Sequence, residues 1–460
     1  MRLRHPDGST VHLAYCTNVH PAEDLDGVLR QLARFAGPVR DRLGVPCLGV
    51  GLWLAHDVAR ALARDAGALA RLRTELDARG LEVVTLNGFP YRGFHEPVVK
   101  RAVYAPDWSE PARLAYTLDL ARVLAGLLPA DAVRGSVSTL PLGWRAGWSV
   151  AREDRARRAL DLLAEGLAAL AARTGRTVRV GLEPEPGCAV ATVRDACARL
   201  RGQVDPARVG VCLDACHLAT DFEEPRASLR GLAGAGLPVV KAQLSCALQA
   251  DEPYEPAVRR ALARFAEPRF LHQTRAAVPY DPPYDPPYAE PEAGPRAGAP
   301  YRPVARWDDL DLALRATDDH HGPGGGAGAR WRVHFHVPVH ADPEPPLAAT
   351  RPVLVDTVRA LMSGARPVTD HLEVETYTWS VLPVGSRPAD DAALVTGIAA
   401  ELAWAREQLL AAGLRAPHAG PAQPDPRPVP PDARPAPPDP RRGPGPSPRP
   451  APRPTPRLPT

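Results

Sequence analysis

Lysine is almost missing from these 460 residues: Lys100 and Lys241 are the only two, and the rest of the 56 basic residues are arginines. With abundant alanine and proline, that imbalance reads as a compositional bias and not as an arginine-rich binding surface, and it makes the two lysines conspicuous. Charge of one sign is also missing. A net charge of +3 gives no electrostatic footprint for nucleic acid or for an anionic membrane surface. The seven cysteines (Cys16, Cys47, Cys188, Cys197, Cys212, Cys216, Cys246) are odd in number, scattered and without a CxxC pair. That excludes a disulfide framework or zinc ribbon and fits reduced, packed thiols in a cytoplasmic protein. No run of about 18 apolar residues occurs, so no membrane span is expected. The stretch Met1-Arg2-Leu3-Arg4-His5-Pro6-Asp7-Gly8 lacks the apolar core of a signal peptide. No glycine-rich phosphate fingerprint follows the first strand-like run, which argues against a dinucleotide-binding domain.

What is present is alternation. Short, β-branched, nearly continuous apolar runs at 11–17, 47–54, 81–86, 133–140, 178–183, 209–214, 239–245 and 371–376 have the character of strands buried on both faces. Helix-length amphipathic segments separate them, the clearest carrying Leu160, Leu163, Leu167 and Leu170 at helical spacing. Eight strands alternating with helices predict a parallel sheet, and eight repeats predict closure into a (β/α)8 TIM barrel over residues 1–414. Two regions break the pattern. Residues 275–330 hold a Tyr-Asp-Pro-Pro repeat and a glycine run and read as a flexible low-complexity insertion. Residues 415–460 are Pro/Arg-rich and read as a disordered tail.

Active sites of such barrels lie at the carboxyl ends of the strands. There the first strand delivers Asn18 and His20, the third Asn87, the fifth Glu183 and Glu185, the sixth Asp214 and His217, the seventh Lys241 and Gln243, and the eighth Glu373 and Glu375. A lone strand-end carboxylate is usually a helix cap or a satisfied core group. Three of them at one rim would be costly to bury unpaired, and their repulsion calls for a cation. Glu183, Asp214 and Glu375 are therefore the expected ligands of a divalent metal (Mn, Mg, Co or Zn), since oxygen-rich sets with one or two imidazoles suit those ions. Glu183 is favoured over Glu185 because Pro184 ends the strand just beyond it, and Glu375 over Glu373 because it lies nearer the strand end. Lys241 is expected to pair with Glu373. A further strand-like segment, 331–340, sets His334, His336 and His340 on one side at period two, from which His336 could complete the shell. The competing reading of that row is the polar face of an exposed hairpin.

Leu182-Glu183-Pro184, Asp214-Ala215-Cys216-His217 and Val374-Glu375-Thr376 resemble the xylose-isomerase-like barrel superfamily, which includes sugar isomerases, sugar epimerases and metal-dependent endonucleases. The wider set is similar to one branch, the metabolite traffic protein EboE family. It adds Tyr15-Cys16-Thr17-Asn18-Val19-His20-Pro21, Asn87-Gly88-Phe89-Pro90-Tyr91, His334-Phe335-His336-Val337-Pro338-Val339 and Glu375-Thr376-Tyr377-Thr378-Trp379. The resemblance spans roughly residues 11–385. It implies a place in a secondary-metabolite traffic or biosynthesis system, with a small-molecule metabolite and other proteins of that gene cluster as partners, and neither nucleic acid nor a membrane span. It also implies a divalent-metal isomerase or epimerase of a polyhydroxylated or hydroxy-keto metabolite. Glu183 and Glu375 would then be catalytic, Asn18, His20, Asn87 and His217 substrate-binding, and Glu183, Asp214, Gln243, His336 and Glu375 metal-binding. Sugar epimerases commonly place histidine where this chain has Gln243. The alternative is a non-catalytic metabolite-binding or scaffold protein.

Overall fold

The computed structural model describes residues 1–279, 301–317 and 328–416. Eight strands form one closed parallel barrel: β1 (Thr10–Cys16), β2 (Leu48–Trp53), β3 (Leu81–Asn87), β4 (Gly135–Thr139), β5 (Val178–Leu182), β6 (Val209–Asp214), β7 (Val239–Leu244) and β8 (His371–Val374). Each pairs in parallel with its sequence neighbours, and β8 closes the ring by pairing Glu373 with Ala14 of β1. All eight occur where the apolar runs predict them, within two residues at each end, because strands covered by helices outside and side chains inside must be apolar on both faces. Among the described residues no helix is long and apolar enough to cross a membrane.

The helices are cut from the sequence by recognisable caps. Val150–Thr174 starts where Ser149 accepts from the Arg152 N–H and stops at Gly175 in the left-handed conformation. Its Leu160, Leu163, Leu167 and Leu170 are buried against the barrel. Asp214 ends β6 and at once caps the short helix Ala215–Thr220, accepting from the His217 N–H at 2.9 Å. That cap fixes the direction in which His217 leaves the barrel.

Between β7 and β8 the chain builds a second, antiparallel sheet. Its spatial order is Tyr301–Trp307, Thr274–Pro279, Arg330–Val337, Cys246–Asp251 and Leu347–Ala349. Of the 275–330 segment, the described residues thus lie largely in strands and in the helix Leu310–Ala316; the remainder, with its Tyr-Asp-Pro-Pro repeat and glycine run, lies outside the described residues. So does the expected tail, except for Arg415, which pairs with Arg4, and Ala416. The strand Arg330–Val337 leaves this sheet toward the barrel mouth, where Thr378 Oγ1 donates to the His336 carbonyl.

Candidate functional site

At the carboxyl end of the barrel, the three expected carboxylates come together. Glu183, Asp214 and Glu375 each offer an oxygen within 4.8 Å of the others, and all are buried. Their local partners differ. Glu375 Oε1 accepts from Asn18 Nδ2 at 2.7 Å and Asn87 Nδ2 at 2.8 Å. Asp214 Oδ1 is taken by the His217 N–H and, at 2.8 Å, by Ser245 Oγ. Asp214 Oδ2 and Glu183 Oε2 are buried without a partner. Asp214 is thus both the helix cap of the bland reading and the owner of one oxygen left over for something else.

Burial pushes the Glu183 carboxyl well above its usual range, and the nearby Glu375 and Asp214 push it further. Burial and the same repulsion, here chiefly from Asp214, raise Glu375 to about 8. Two ionised carboxylates at such separations repel by roughly 3 kcal/mol at an effective dielectric near 20. The cluster therefore needs protons or a cation.

A second cluster adjoins it. The imidazoles of His217, His334 and His336 meet with Nε2 of His334 at 3.1 Å from that of His217 and 3.3 Å from that of His336. Each Nδ1 faces an oxygen: the Pro184 carbonyl for His217 at 2.8 Å, the Glu375 carbonyl for His336 at 2.8 Å, and Gln273 Oε1 for His334 at 2.7 Å. Backbone carbonyls only accept, so Nδ1 of His217 and His336 carries the proton. Gln273 is oriented the same way, because its Nε2 donates to Tyr104 Oη and to the Pro186 carbonyl. Nε2 of His334 then faces Nε2 of both neighbours, an arrangement that a bound cation would suit. Burial holds His334 well below the ordinary imidazole range and His336 at about 4, so protonation is a poor remedy. Asp214 belongs to both donor sets, and Glu185 or Cys216 can join the imidazoles.

The residues present therefore fit divalent metal. Glu183, Asp214 and Glu375 would hold it in the first set and His217, His334 and His336 in the second. Gln243 is fully buried in register between Asp214 and Glu373, and both ends of its amide lack partners, but it is not among the residues that line the cavity. Asn18, Asn87, His217, Glu183, His336 and Glu375 line one cavity.

Two histidines lie elsewhere. His20 stacks on Phe35 with ring centres 4.2 Å apart and sits 3.3 Å from Tyr15 Oη, in a separate small cavity. The turn Thr17–Val19 carries it past the rim, so it does not reach the site. His340 falls beyond Val337, where the strand and its period-two alternation have ended, and faces Trp379. The Lys241–Glu373 pair forms as expected, completely buried beneath the carboxylates.

Sequence reasoning passed over three contributors. Glu185, set aside in favour of Glu183, lines the same cavity, and burial raises its carboxyl to about 7. It accepts from Tyr104 Oη at 2.5 Å. Gln273, which orients His334, sits in no motif. The aromatic side of the cavity, Phe94 and Phe270 with Tyr377, carries no signal in the sequence that separates it from core.

A family model described as a xylose isomerase-like TIM barrel matches residues 41–262. Among solved structures, the chain is similar to an L-ribulose 3-epimerase at 12% identity, covering 87% of this chain and 95% of that one with a TM-score of 0.45. It is also similar to a xylose isomerase-like TIM-barrel protein from Mycobacterium smegmatis in complex with magnesium, at 13% identity over 88% and 94% of the two chains, TM-score 0.41. A third is the IolI protein with a bound zinc atom, at 14% identity over 50% and 72%, TM-score 0.33. No protein of curated function matches significantly. The closed ring of eight parallel strands and the family match over its central strands make the fold of this chain that of a xylose-isomerase-like TIM barrel.

Proposed function

We propose that this protein is a divalent-metal-dependent isomerase or epimerase that moves a proton on a small hydroxy-carbonyl metabolite, within the secondary-metabolite system that its likeness to the EboE family suggests. The observation that carries the reading is the meeting of the buried carboxylates of Glu183, Asp214 and Glu375, with Asp214 also grouped with the His217 and His336 imidazoles, a donor set that suits a divalent cation. A bound divalent cation supplies Lewis acidity, polarising a substrate carbonyl and acidifying the adjacent C–H. The chain supplies the rest. Asn18 and Asn87 hold one oxygen of Glu375, orienting its carboxylate for proton transfer. Glu183 enters from β5, away from β8, and provides a second carboxyl to return the proton. Glu185, poised near neutrality beside Tyr104, is a proton reserve for a substrate hydroxyl.

The adjoining donor sets also suit one other reading, metal-assisted hydrolysis of a small phosphoester. Against it, Lys100 is the one ammonium or guanidinium lining the cavity among the described residues, and its three donors are spent. They go to Asp309 Oδ2 at 2.6 Å and to the carbonyls of Phe270 and Glu267 at 2.7 and 3.2 Å. A phosphate would find no free cationic side chain here.

The test is the metal content of purified protein by mass spectrometry, wild type beside Glu183→Ala and Glu375→Ala, followed by NMR in D2O with hydroxy-ketones. Metal near one equivalent or more, reduced in both variants, with metal-dependent exchange of the carbon-bound proton, is the expected result. Metal without exchange, but with phosphate release from a phosphoester, would favour hydrolysis. No metal even after reconstitution would end the enzyme reading and leave a metabolite-binding or scaffold role.

A further inference from the structure

The cavity has two chemically distinct parts. Carboxylates and imidazoles form one part of its lining, and Phe89, Pro90, Phe94, Phe270, Leu271 and Tyr377 form another, the two meeting where Tyr377 packs 4.7 Å from the His336 ring. Three of these rings pack edge to face or tilted: Phe94 on Phe270 at 5.1 Å, Phe270 on Tyr377 at 4.9 Å and Phe94 on Tyr377 at 5.3 Å between centres. Such mutual packing fixes each ring and presents a firm apolar surface, not a collapsible one.

Four backbone carbonyls beside these residues already have donors. The carbonyls of Gly88 and Phe89 accept from Arg113 Nη1 at 2.9 and 3.0 Å. The Pro90 carbonyl accepts from Trp53 Nε1 at 2.9 Å and from Tyr116 Oη at 3.0 Å, and the Phe270 carbonyl accepts from Lys100. A free sugar carries a hydroxyl on nearly every carbon. The head of such a molecule would be met by the carboxylates and imidazoles, but its other hydroxyls would lose water against six residues of which only Tyr377 carries a side-chain hydrogen-bonding group. Lys100, already held by three acceptors, provides no counter-charge for an anionic tail.

We propose that this site takes a neutral molecule in which a hydroxy-ketone or vicinal-diol head is joined to an aromatic ring, the head on the carboxylates and imidazoles and the ring against Phe94, Phe270 and Tyr377. The assignment rests on the cation-assisted reading of those polar groups for the head and on the aromatic residues alone for the ring.

Ligand-observed NMR titration of the manganese-free and zinc-loaded protein with four probes separates the two. The probes are 2-hydroxyacetophenone (head and ring), dihydroxyacetone and D-fructose (head only) and acetophenone (ring only). The wild-type protein is expected to bind 2-hydroxyacetophenone at least tenfold more tightly than dihydroxyacetone or D-fructose. In Phe94→Ala that ratio should fall toward one with zinc content unchanged. Equal or tighter binding of dihydroxyacetone or D-fructose by the zinc-loaded wild type would overturn the proposal, and that measurement depends on no variant. If the protein takes up no metal, the cation reading fails by itself. Acetophenone then carries the test: saturable binding weakened in Phe94→Ala supports the aromatic lining as the ring's place, and no binding overturns it.

Discussion

Two lysines among 460 residues single themselves out, and the structure gives each a structural task. Lys241 has no exposed surface and pairs with Glu373, also fully buried, directly below the site. The two side chains leave no spare room: a Cβ at Gly51 of β2 would lie 1.3 Å from Glu373 Oε1. Gly51 is therefore glycine because the carboxylate passes over it, and Gly51→Ala must displace Glu373 or distort β2. Removing one partner of the pair is more costly than removing both, because a lone charge then stays buried. Lys241→Met is expected to destabilise the fold by about 3–5 kcal/mol, and Lys241→Met with Glu373→Leu to recover most of that, as read by denaturant melts. Equal losses in the single and double variants would refute the pairing as the cause. This pair was legible in the sequence, since Lys241 and Glu373 sit at inward-facing positions of neighbouring strands. Glu185 was not, because Pro184 makes only one of two alternating carboxylates look terminal, whereas the turn after β5 sends both into the cavity.

At the scale of elements, β1 to β8 were readable because burial on both faces leaves one-dimensional evidence, an unbroken apolar run. Pairing across the second sheet leaves none. The partner of Arg330–Val337 on one side is Thr274–Pro279 and on the other Cys246–Asp251, and no local pattern says so. Period two correctly put His334 and His336 together. It failed for His340 because periodicity does not show where a strand ends. One helix ties these pieces down: Glu401, on Asp391–Ala411, accepts from Thr376 Oγ1 at 2.6 Å, the Val339 N–H at 3.1 Å and Trp379 Nε1 at 3.2 Å. It thereby holds the residue after Glu375 and the segment after His336. Burial raises its carboxyl to about 7, against the pull of those donors. A carboxyl raised in the folded state stabilises fully below its unfolded pKa, near 4.5, and that contribution is lost as pH rises toward and through 7. The span corresponds to on the order of 3 kcal/mol. Glu401→Gln should flatten the fall in melting temperature between pH 5 and pH 8. An unchanged slope would show that Glu401 does not titrate there.

For the whole molecule, the same sign argument turns the candidate site into a measurable property of folding. Without metal, Glu183 and Glu375 are raised carboxyls, Glu375 to about 8, so the fold gains from their protonated forms at low pH and loses that gain as pH rises through 8. A divalent cation reverses the preference, because it binds the ionised forms and competes with the protons. Metal should therefore stabilise the protein little at pH 6 and strongly at pH 8, where a free concentration of 100 times Kd contributes about 2.7 kcal/mol. Calorimetric melts at the two pH values, with manganese or zinc against a chelator, read the difference directly. Asp214 joins the carboxylate and imidazole sets, and its Oδ2 has no other partner, so Asp214→Asn should remove most of the metal-dependent increment at pH 8. The amide keeps an oxygen for the Ser245 and His217 donors, so the variant should retain the fold while losing the charge that unites the two donor sets. A metal increment of the same size at both pH values would mean that the ion binds where these carboxylates do not titrate. An increment undiminished in Asp214→Asn would place it outside the barrel mouth.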